Sequence, residues 1–284
     1  IWLAADGAVW VGTRGGVGRF GTAGWVHHLN WPGKKDRGGT ELVRDEAGTL
    51  WAGTASGLYK LEDNTWQEVE DLRERVRGPF LNFAVDGQGV LWGATSSHVL
   101  QFDGQRWNFI ERYGSDRRRG MRSIAAAQKG GVWLVDRSGI YRFDGQKRET
   151  IEDVRIALAL YEDTDGAMWI GGLDGAMRIL NGERHIFTVA DGMPEGPINS
   201  IVADKAGRIW VSTRFDGVAV FDAKKQSWKR VPGNMEAQFN GVRRIYPADD
   251  GTVWMASSID GAIRTDGTVW TRYTVREGLP SSQV

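Results

Sequence analysis

The sequence predicts an all-β protein, a seven-bladed β-propeller with four antiparallel strands in each blade, on three observations. Seven tryptophans, Trp10, Trp51, Trp92, Trp133, Trp169, Trp210 and Trp254, recur at spacings of 41, 41, 41, 36, 41 and 44 residues. A glycine stands three positions before each: Gly7, Gly48, Gly89, Gly130, Gly166, Gly207 and Gly251. Each repeat divides into four short β-branched and aromatic runs bounded by Gly, Asp, Asn and Ser clusters, and no segment keeps a 3.6-residue apolar period. Four strands every ~40–45 residues is the period of a propeller blade.

The sixth repeat shows how each element reads. Asn199–Ala203 is its first strand and Asp204–Gly207 a tight turn. Arg208–Thr213 is the second strand, Val218–Phe221 the third and Ser227–Val231 the outer one. A second glycine marks the turn between the second and third strands: Gly16, Gly57, Gly139, Gly175, Gly217 and Gly261, with His98 there in the third repeat. A second tryptophan follows on the outer strand as Trp25, Trp66, Trp107, Trp228 and Trp270, with Arg148 and His185 in repeats four and five. The stretch Gly192–Ile198 (GMPEGPI) aligns with Gly278–Val284 (GLPSSQV), so that Val284 corresponds to Ile198 and Ile1 to Ile201. The inner strand of blade one is therefore expected to begin at the C-terminus and finish at the N-terminus. That closes residues 1–284 into a single domain with no open sheet edge.

Composition sets limits on function. Basic and acidic residues balance at 36 each, so no global electrostatic grip on nucleic acid is expected. The absence of cysteine excludes disulfides, thiolate metal sites and cysteine nucleophiles. No apolar run approaches the ~18 residues of a membrane span, Ile156–Tyr161 being typical of the longest, so no membrane insertion by this segment is expected. No signal peptide is visible, and a start at Ile1 reads as a processed or excised piece.

The pattern D-x-x-G-x-ϕ-W-ϕ-G/S-T-x-x-G-ϕ (ϕ apolar), with G-L-P-S before the next unit, resembles the two-component regulator propeller repeat. Asp45–Leu58, Asp204–Val218 and Gly278–Ser282 carry it best. The resemblance covers the chain and implies an extracytoplasmic sensor portion, periplasmic or extracellular, of a bacterial transmembrane signalling protein, often a hybrid histidine kinase. Some such sensors respond to carbohydrate fragments, and many carry two propellers in tandem. The repeat motifs transfer no ligand residues.

Several motifs suggest chemistry at first reading. Gly16-Val17-Gly18-Arg19-Phe20-Gly21 is a literal G-x-G-x-x-G. A dinucleotide fingerprint needs a helix after it to receive the pyrophosphate, whereas here a turn and a strand follow. These are turn glycines, and no cofactor is expected. His27 and His28 are adjacent on an outer strand and point to opposite faces, and His98 and His185 lie on other blades. No convergent set of three or four metal ligands is expected from them. The acidic turns Asp45–Gly48, Asp163–Gly166 and Asp204–Gly207 lack the ligand pattern of a calcium loop, and Ala4, Gln128 and Ala248 interrupt the series. An Asp capping its own turn explains them. No catalytic acid, base or nucleophile can be assigned, so the chain reads as a non-enzyme.

The irregular parts are the connections between blades, which share a face with the second-to-third strand turns. On that face Lys34–Arg37 sums to +2, Asp71–Arg77 to +1 and Arg112–Arg122 to +4. Thr188–Pro197 gives −2 and Pro232–Gly241 −1, so blades one to four read as a basic sector and blades five to seven as a mildly acidic one. The short fourth repeat predicts a notch beside the basic sector. Trp31, Phe80, Tyr113, Phe215 and Phe239 fall in or beside these loops. Arginine beside aromatic faces suits an acidic sugar or another anion. The candidate ligand-binding residues are Trp31, Arg112, Tyr113, Arg117, Arg118, Arg119, Arg122, Arg243 and Arg244. Arg122, Arg243 and Arg244 stand with Glu41, Asn82 and Asn199 as polar starts of inner strands, positions expected to ring the mouth of the channel.

The expected function is ligand sensing without catalysis, with a small-molecule or oligosaccharide ligand on the loop face, and a tandem propeller or homodimer in the full-length chain. The alternatives are a protein–protein interaction platform on the same face and a hydrolase or lyase at the channel mouth.

Overall fold

The computed structural model describes residues 1–4, 6–21, 24–30, 40–55, 57–73, 75–76, 80–112, 121–136, 139–152, 157–231, 241–248 and 250–284. Seven four-stranded antiparallel sheets, each with strands in chain order, make the protein an all-β, seven-bladed β-propeller. The chain divides into two compact units. One holds Ile1–Asn30 with Leu158–Val284, which are blades 1, 5, 6 and 7; the other holds Trp31–Ala157, which are blades 2, 3 and 4.

Within each blade the second strand is the most buried. Val9–Thr13, Leu91–Thr95, Ile209–Thr213 and Val253–Ser257 are buried at every position, because each lies mid-sheet with packed faces on both sides. The repeat tryptophans fill the space between blades of one unit. Trp169 of blade 5 meets Trp228 of blade 6 edge-on at 5.8 Å, and Trp51 of blade 2 meets Trp107 of blade 3 the same way at 5.5 Å. Phe187, Met193, Ile198 and Phe221 complete the first of these cores, and Phe80, Phe83 and Leu91 the second. Phe80 is therefore a core residue stacked on Phe83 at 5.1 Å, not an aromatic of the loop face.

The acidic turns serve the tryptophans. Asp86 places Oδ1 on the Gln88 and Val90 amides and accepts the Trp92 indole N–H on Oδ2 at 2.9 Å. Asp45 with Trp51 and Asp204 with Trp210 repeat the arrangement at 2.9 Å each. In these three blades the carboxylate six residues upstream gives the indole N–H its acceptor while holding the turn. In blade 5 Asp163 holds only its turn, and the buried Trp169 indole N–H has no acceptor among the described residues. The sequence reading, in which the Asp caps its turn, thus captured half of its work.

The first unit also contains the closure. Arg14 N donates to Gln283 O, and Val284 N to Ser257 O. Blade 6 makes the same two bonds with Arg214 N to Pro197 O and Ile198 N to Gly172 O. Gln283 and Val284 therefore occupy the start of blade 1's inner strand, and Trp2–Leu3 its end, paired with the second strand through Trp10 and Val9. The G-L-P segment that leads in is a capped 3-10 turn. Thr274 and Glu277 cap Val275–Glu277, Gly278 closes it at φ +102°, and Leu279 is buried. Thr188, Asp191, Gly192 and Met193 build the identical device after blade 5.

The glycines of blade 1 fit this segment. A Cβ at Gly15 would stand 2.8 Å from Pro280 O, and one at Gly18 would stand 2.9 Å from Pro280 Cδ. Gly16–Gly21 is a strand followed by the strand Gly24–Asn30, with no helix to receive a phosphate.

Candidate functional site

The predicted site residues separate into three groups. Trp31, Tyr113, Arg117, Arg118 and Arg119 lie outside the described residues, as does the connection expected to form a notch. Arg112 and Arg122 belong to the second unit. Arg112 ends the outer strand Trp107–Arg112 and is exposed; with burial and Arg75 it holds the pKa of His98 below its ordinary value, burial being the largest cause. Arg122 is half-buried and donates its amide to Val135 O. The charged run 71–77 is partly structural. Glu70–Arg73 is a short helix with Leu72 buried, and Arg75 lies over the Phe109 ring at 4.1 Å.

Arg243 and Arg244 open the inner strand Val242–Pro247 of blade 7. Pairing with the second strand skips from Val242 opposite Ser257 to Arg244 opposite Ala256, which leaves Arg243 as the bulged residue. Bulges re-aim side chains, and here the bulge frees Arg243 while Arg244 stays in register and half-buried. Asn199 is the bulged residue of blade 6, but its Nδ2 bonds Val242 O at 3.0 Å, which ties it to the neighbouring blade. Asn82 ties to Ile124 O at 3.1 Å and is register-equivalent to Ser200, one place further in than Asn199. These two asparagines are blade-to-blade links.

Arg243 has two companions that the charge count of the long connections missed: Arg14 and Arg214, each four residues after its blade's anchor tryptophan. A run of backbone hydrogen bonds sets the three side by side. Gly241 N donates to Arg214 O, Ser258 N to Gly241 O, Val284 N to Ser257 O, and Arg14 N to Gln283 O. Arg14 Nη1 is further oriented by Gln283 Oε1 at 2.7 Å, and Arg214 lies over the Phe215 ring at 5.3 Å. Burial, then the charges of Arg214 and Arg14, hold the Arg243 guanidinium below its ordinary pKa, although the residue as a whole is exposed.

The carboxylates of the same turns are taken by other arginines. Asp216 pairs with Arg230, and Asp260 with Arg272 at 3.2 Å, both arginines coming from outer strands. Asp191 and Glu277 are spent on their capping boxes. Among the described residues, no carboxylate lies within ion-pair distance of Arg14, Arg214 or Arg243. Arg243 beside Arg14 and Arg214, with no carboxylate partner among the described residues, is an arrangement chemically suited to an anion.

Other candidates resolve as structure. His27 bonds Gly278 O at 3.0 Å, His28 packs on Trp10, His98 bonds Ser97 Oγ at 2.9 Å, and His185 packs on Phe187. Arg148, at a tryptophan position, lies over Tyr141 and pairs with Asp136 at 2.6 Å and Glu111 at 3.0 Å. A groove of about 530 Å³ on the opposite face of the second unit is lined by Asp45, Glu46, Gln88, Phe102 and Asp103. Asp45 is committed there to Trp51 and its turn, and Asp103 to the Gln105 and Arg106 amides. No group of three acidic or histidine side chains able to hold a metal occurs among the described residues. Among the same residues, no helix is long and apolar enough to cross a membrane.

Comparison with known proteins places the fold among signalling and non-signalling propellers alike. The extracellular domain of BT4673 from B. thetaiotaomicron, described as a one-component system, superposes with TM-score 0.50 at 15% identity over 94% of this chain and 47% of that one. This chain thus spans about half the length of that domain. Virginiamycin B lyase from Staphylococcus aureus gives 0.65 at 13% identity, covering 86% of each chain. YCF48 from Cyanidioschyzon merolae gives 0.63 at 14% identity, covering 86% of this chain and 87% of its own. At these identities the likeness shows the fold alone. No curated protein sequence matches the chain. The family model for the two component regulator propeller matches residues 192–215, from the capped G-M-P turn of blade 6 through its anchor tryptophan and Thr213 to the turn at Phe215. The chain is a seven-bladed β-propeller in which residues 192–215 match the two component regulator propeller repeat.

Proposed function

We propose that the chain is the ligand-sensing propeller of a bacterial signalling receptor, placed outside the cytoplasm, and that it works by binding without catalysis. Its ligand is anionic, an acidic carbohydrate or another polyanion, and binds on the face that carries Arg14, Arg214 and Arg243. Support for the receptor comes from the regulator-propeller repeat and from the likeness to a bacterial extracellular sensor domain. The observation that carries the ligand reading is the arginine cluster without a carboxylate partner. Binding would be passed on through altered blade contacts or through dimer geometry in the full-length chain.

The test is a thermal-shift screen of the protein against neutral, uronic and sulfated oligosaccharides and acidic peptides, repeated with R14Q/R214Q/R243Q. A ligand at a hundred times its dissociation constant stabilises by about 2.7 kcal/mol. The proposal expects such a shift from anionic compounds only, and its loss in the triple variant. Arginine-independent shifts, or none from any anion, would overturn it.

A further inference from the structure

Exposed apolar residues share the loop face with these arginines, and in blade 6 Arg214 and Phe215 share one turn. Leu173, Phe215 and Ile259 occupy the second-to-third strand turns of blades 5, 6 and 7, each immediately before an Asp-Gly pair. They are 40%, 64% and 66% exposed. No turn of blades 1 to 4 has this apolar-Asp-Gly sequence; those turns read Arg-Gly-Gly, Ala-Ser-Gly, Ser-Ser-His and Arg-Ser-Gly. The aspartates of two of the three are drawn outward, Asp216 to Arg230 and Asp260 to Arg272, and Asp216 also accepts the Glu195 amide. In blades 6 and 7 that leaves the apolar side chain and the arginine as the groups presented, while in blade 5 Asp174 stands exposed beside Leu173. Ile259 lies over Gly241, where an added Cβ would be 3.2 Å from it, and Gly241 itself bonds Arg214 O. Phe215 is covered on one side by Arg214. Arginines of blades 1, 6 and 7 and apolar side chains of blades 5, 6 and 7 thus share one loop face within one unit.

The chemistry of the two kinds of group narrows the occupant. An oligosaccharide presents hydroxyls and stacks on flat aromatic faces, and the aliphatic tips of Leu173 and Ile259 offer it neither hydrogen bonds nor a ring. A peptide can place apolar side chains against such tips and carboxylates against guanidiniums. Exposed apolar patches beside charge are characteristic of protein contact surfaces, and arginine and aromatic residues carry much of the energy at them.

Resting on the proposal that this face is the ligand site, we infer that it docks an acidic peptide segment interspersed with apolar residues. Its carboxylates lie on Arg14, Arg214 and Arg243, and its apolar side chains against Leu173, Phe215 and Ile259. The ligand of the propeller is then a protein or peptide.

The experiment is fluorescence anisotropy of the whole chain with three labelled probes: a twelve-residue peptide alternating Glu with Leu and Phe, a peptide of the same charge alternating Glu with Ser, and a heparin hexasaccharide. The inference expects the apolar-containing peptide to bind at least tenfold tighter than either other probe. It also expects R14Q/R214Q/R243Q and, separately, L173S/F215S/I259S each to weaken that binding at least tenfold. All six positions are surface positions, and thermal melting of each variant confirms its fold. If the hydrophilic peptide or the hexasaccharide binds as well, through the arginines, the peptide inference fails and the anion-sensing proposal stands. The peptide inference also fails if the apolar substitutions leave binding unchanged. If no probe binds in an arginine-dependent way, both fail.

Discussion

Arg14 bonds Gln283 twice: its amide donates to the Gln283 carbonyl at 3.2 Å, and its Nη1 donates to Gln283 Oε1 at 2.7 Å. The first bond closes blade 1, and the second aims one guanidinium of the cluster. Closure and the candidate site therefore share a residue. Gln283→Ala keeps the backbone bond and removes the side-chain one, so it should weaken anion binding three- to tenfold. Because the bond is exposed, unfolding stability should change by less than about 1 kcal/mol. Titration calorimetry beside urea denaturation separates the two effects. Equal binding by the variant would show that Arg14 needs no orientation from the closing segment.

Gly15 and the glycines of the G-x-G-x-x-G stretch should divide by their distance from Pro280. Gly15→Ala places a methyl 2.8 Å from Pro280 O, and Gly18→Ala places one 2.9 Å from Pro280 Cδ. Each should cost about 1–3 kcal/mol as overpacking against the closing segment. Gly21→Ala meets only the flexible end of Arg19 at 3.6 Å and should cost less than about 0.5 kcal/mol. Denaturant midpoints for the three variants check this, and equal costs would remove Pro280 as the reason for the glycines.

Asp86 links two blades as well as its own turn. Besides the Trp92 indole it accepts the Gly131 amide of blade 4 at 2.6 Å, and it is buried. Asp86→Ala should destabilise by about 3 kcal/mol or more, since several buried donors lose a charged acceptor together. Asp204→Ala breaks the same indole bond without the inter-blade one and should cost less. A reversed order in chemical denaturation would contradict the assignment.

Acid should unfold the protein in a definite window. Asp103 and Asp266 sit at about 2, held down first by the Arg106 and Val269 amides, respectively. Asp6, Asp144, Asp204, Asp250 and Glu277 are also lowered. A carboxyl whose folded pKa is depressed contributes stability that is fully present above its unfolded value, about 4, and lost as pH falls through the folded value. Stability should be flat above pH 5 and should fall between about pH 4 and 2. D103N/D266N should flatten that fall, as read from the urea midpoint at each pH; an unchanged slope would show that other groups drive it.

The architecture was legible because the repeat writes it seven times. Anchor tryptophan, preceding glycine and G-L-P turn each recur, so Val284 could be matched to Ile198 before any bond was seen. The candidate site was not legible in the same way. Arg14, Arg214 and Arg243 are far apart in sequence and meet only through closure of blade 1 and a bulge in blade 7. Charge counted over the long connections passed over the short turns that hold two of them. Asn82 and Asn199 were placed alike although Asn82 lies one residue nearer its anchor tryptophan, so that its register counterpart is Ser200. Phe80 looked like a loop aromatic because a run of polar residues precedes it, yet it begins the inner strand Phe80–Val85 and packs in the core. The apolar-Asp-Gly turns of Leu173, Phe215 and Ile259 were readable, but only exposure distinguishes a presented side chain from a packed one.

The most direct test is the stability of Arg243→Gln without ligand at low salt, by urea denaturation. Among the described residues only like charges, those of Arg214 and Arg14, bear on Arg243, so its charge should add no stability to the free protein. The variant should therefore be as stable as the parent or gain about 0.5 kcal/mol, while losing anion binding. A loss of more than about 1 kcal/mol would make Arg243 a structural residue and contradict the reading of this face as a site.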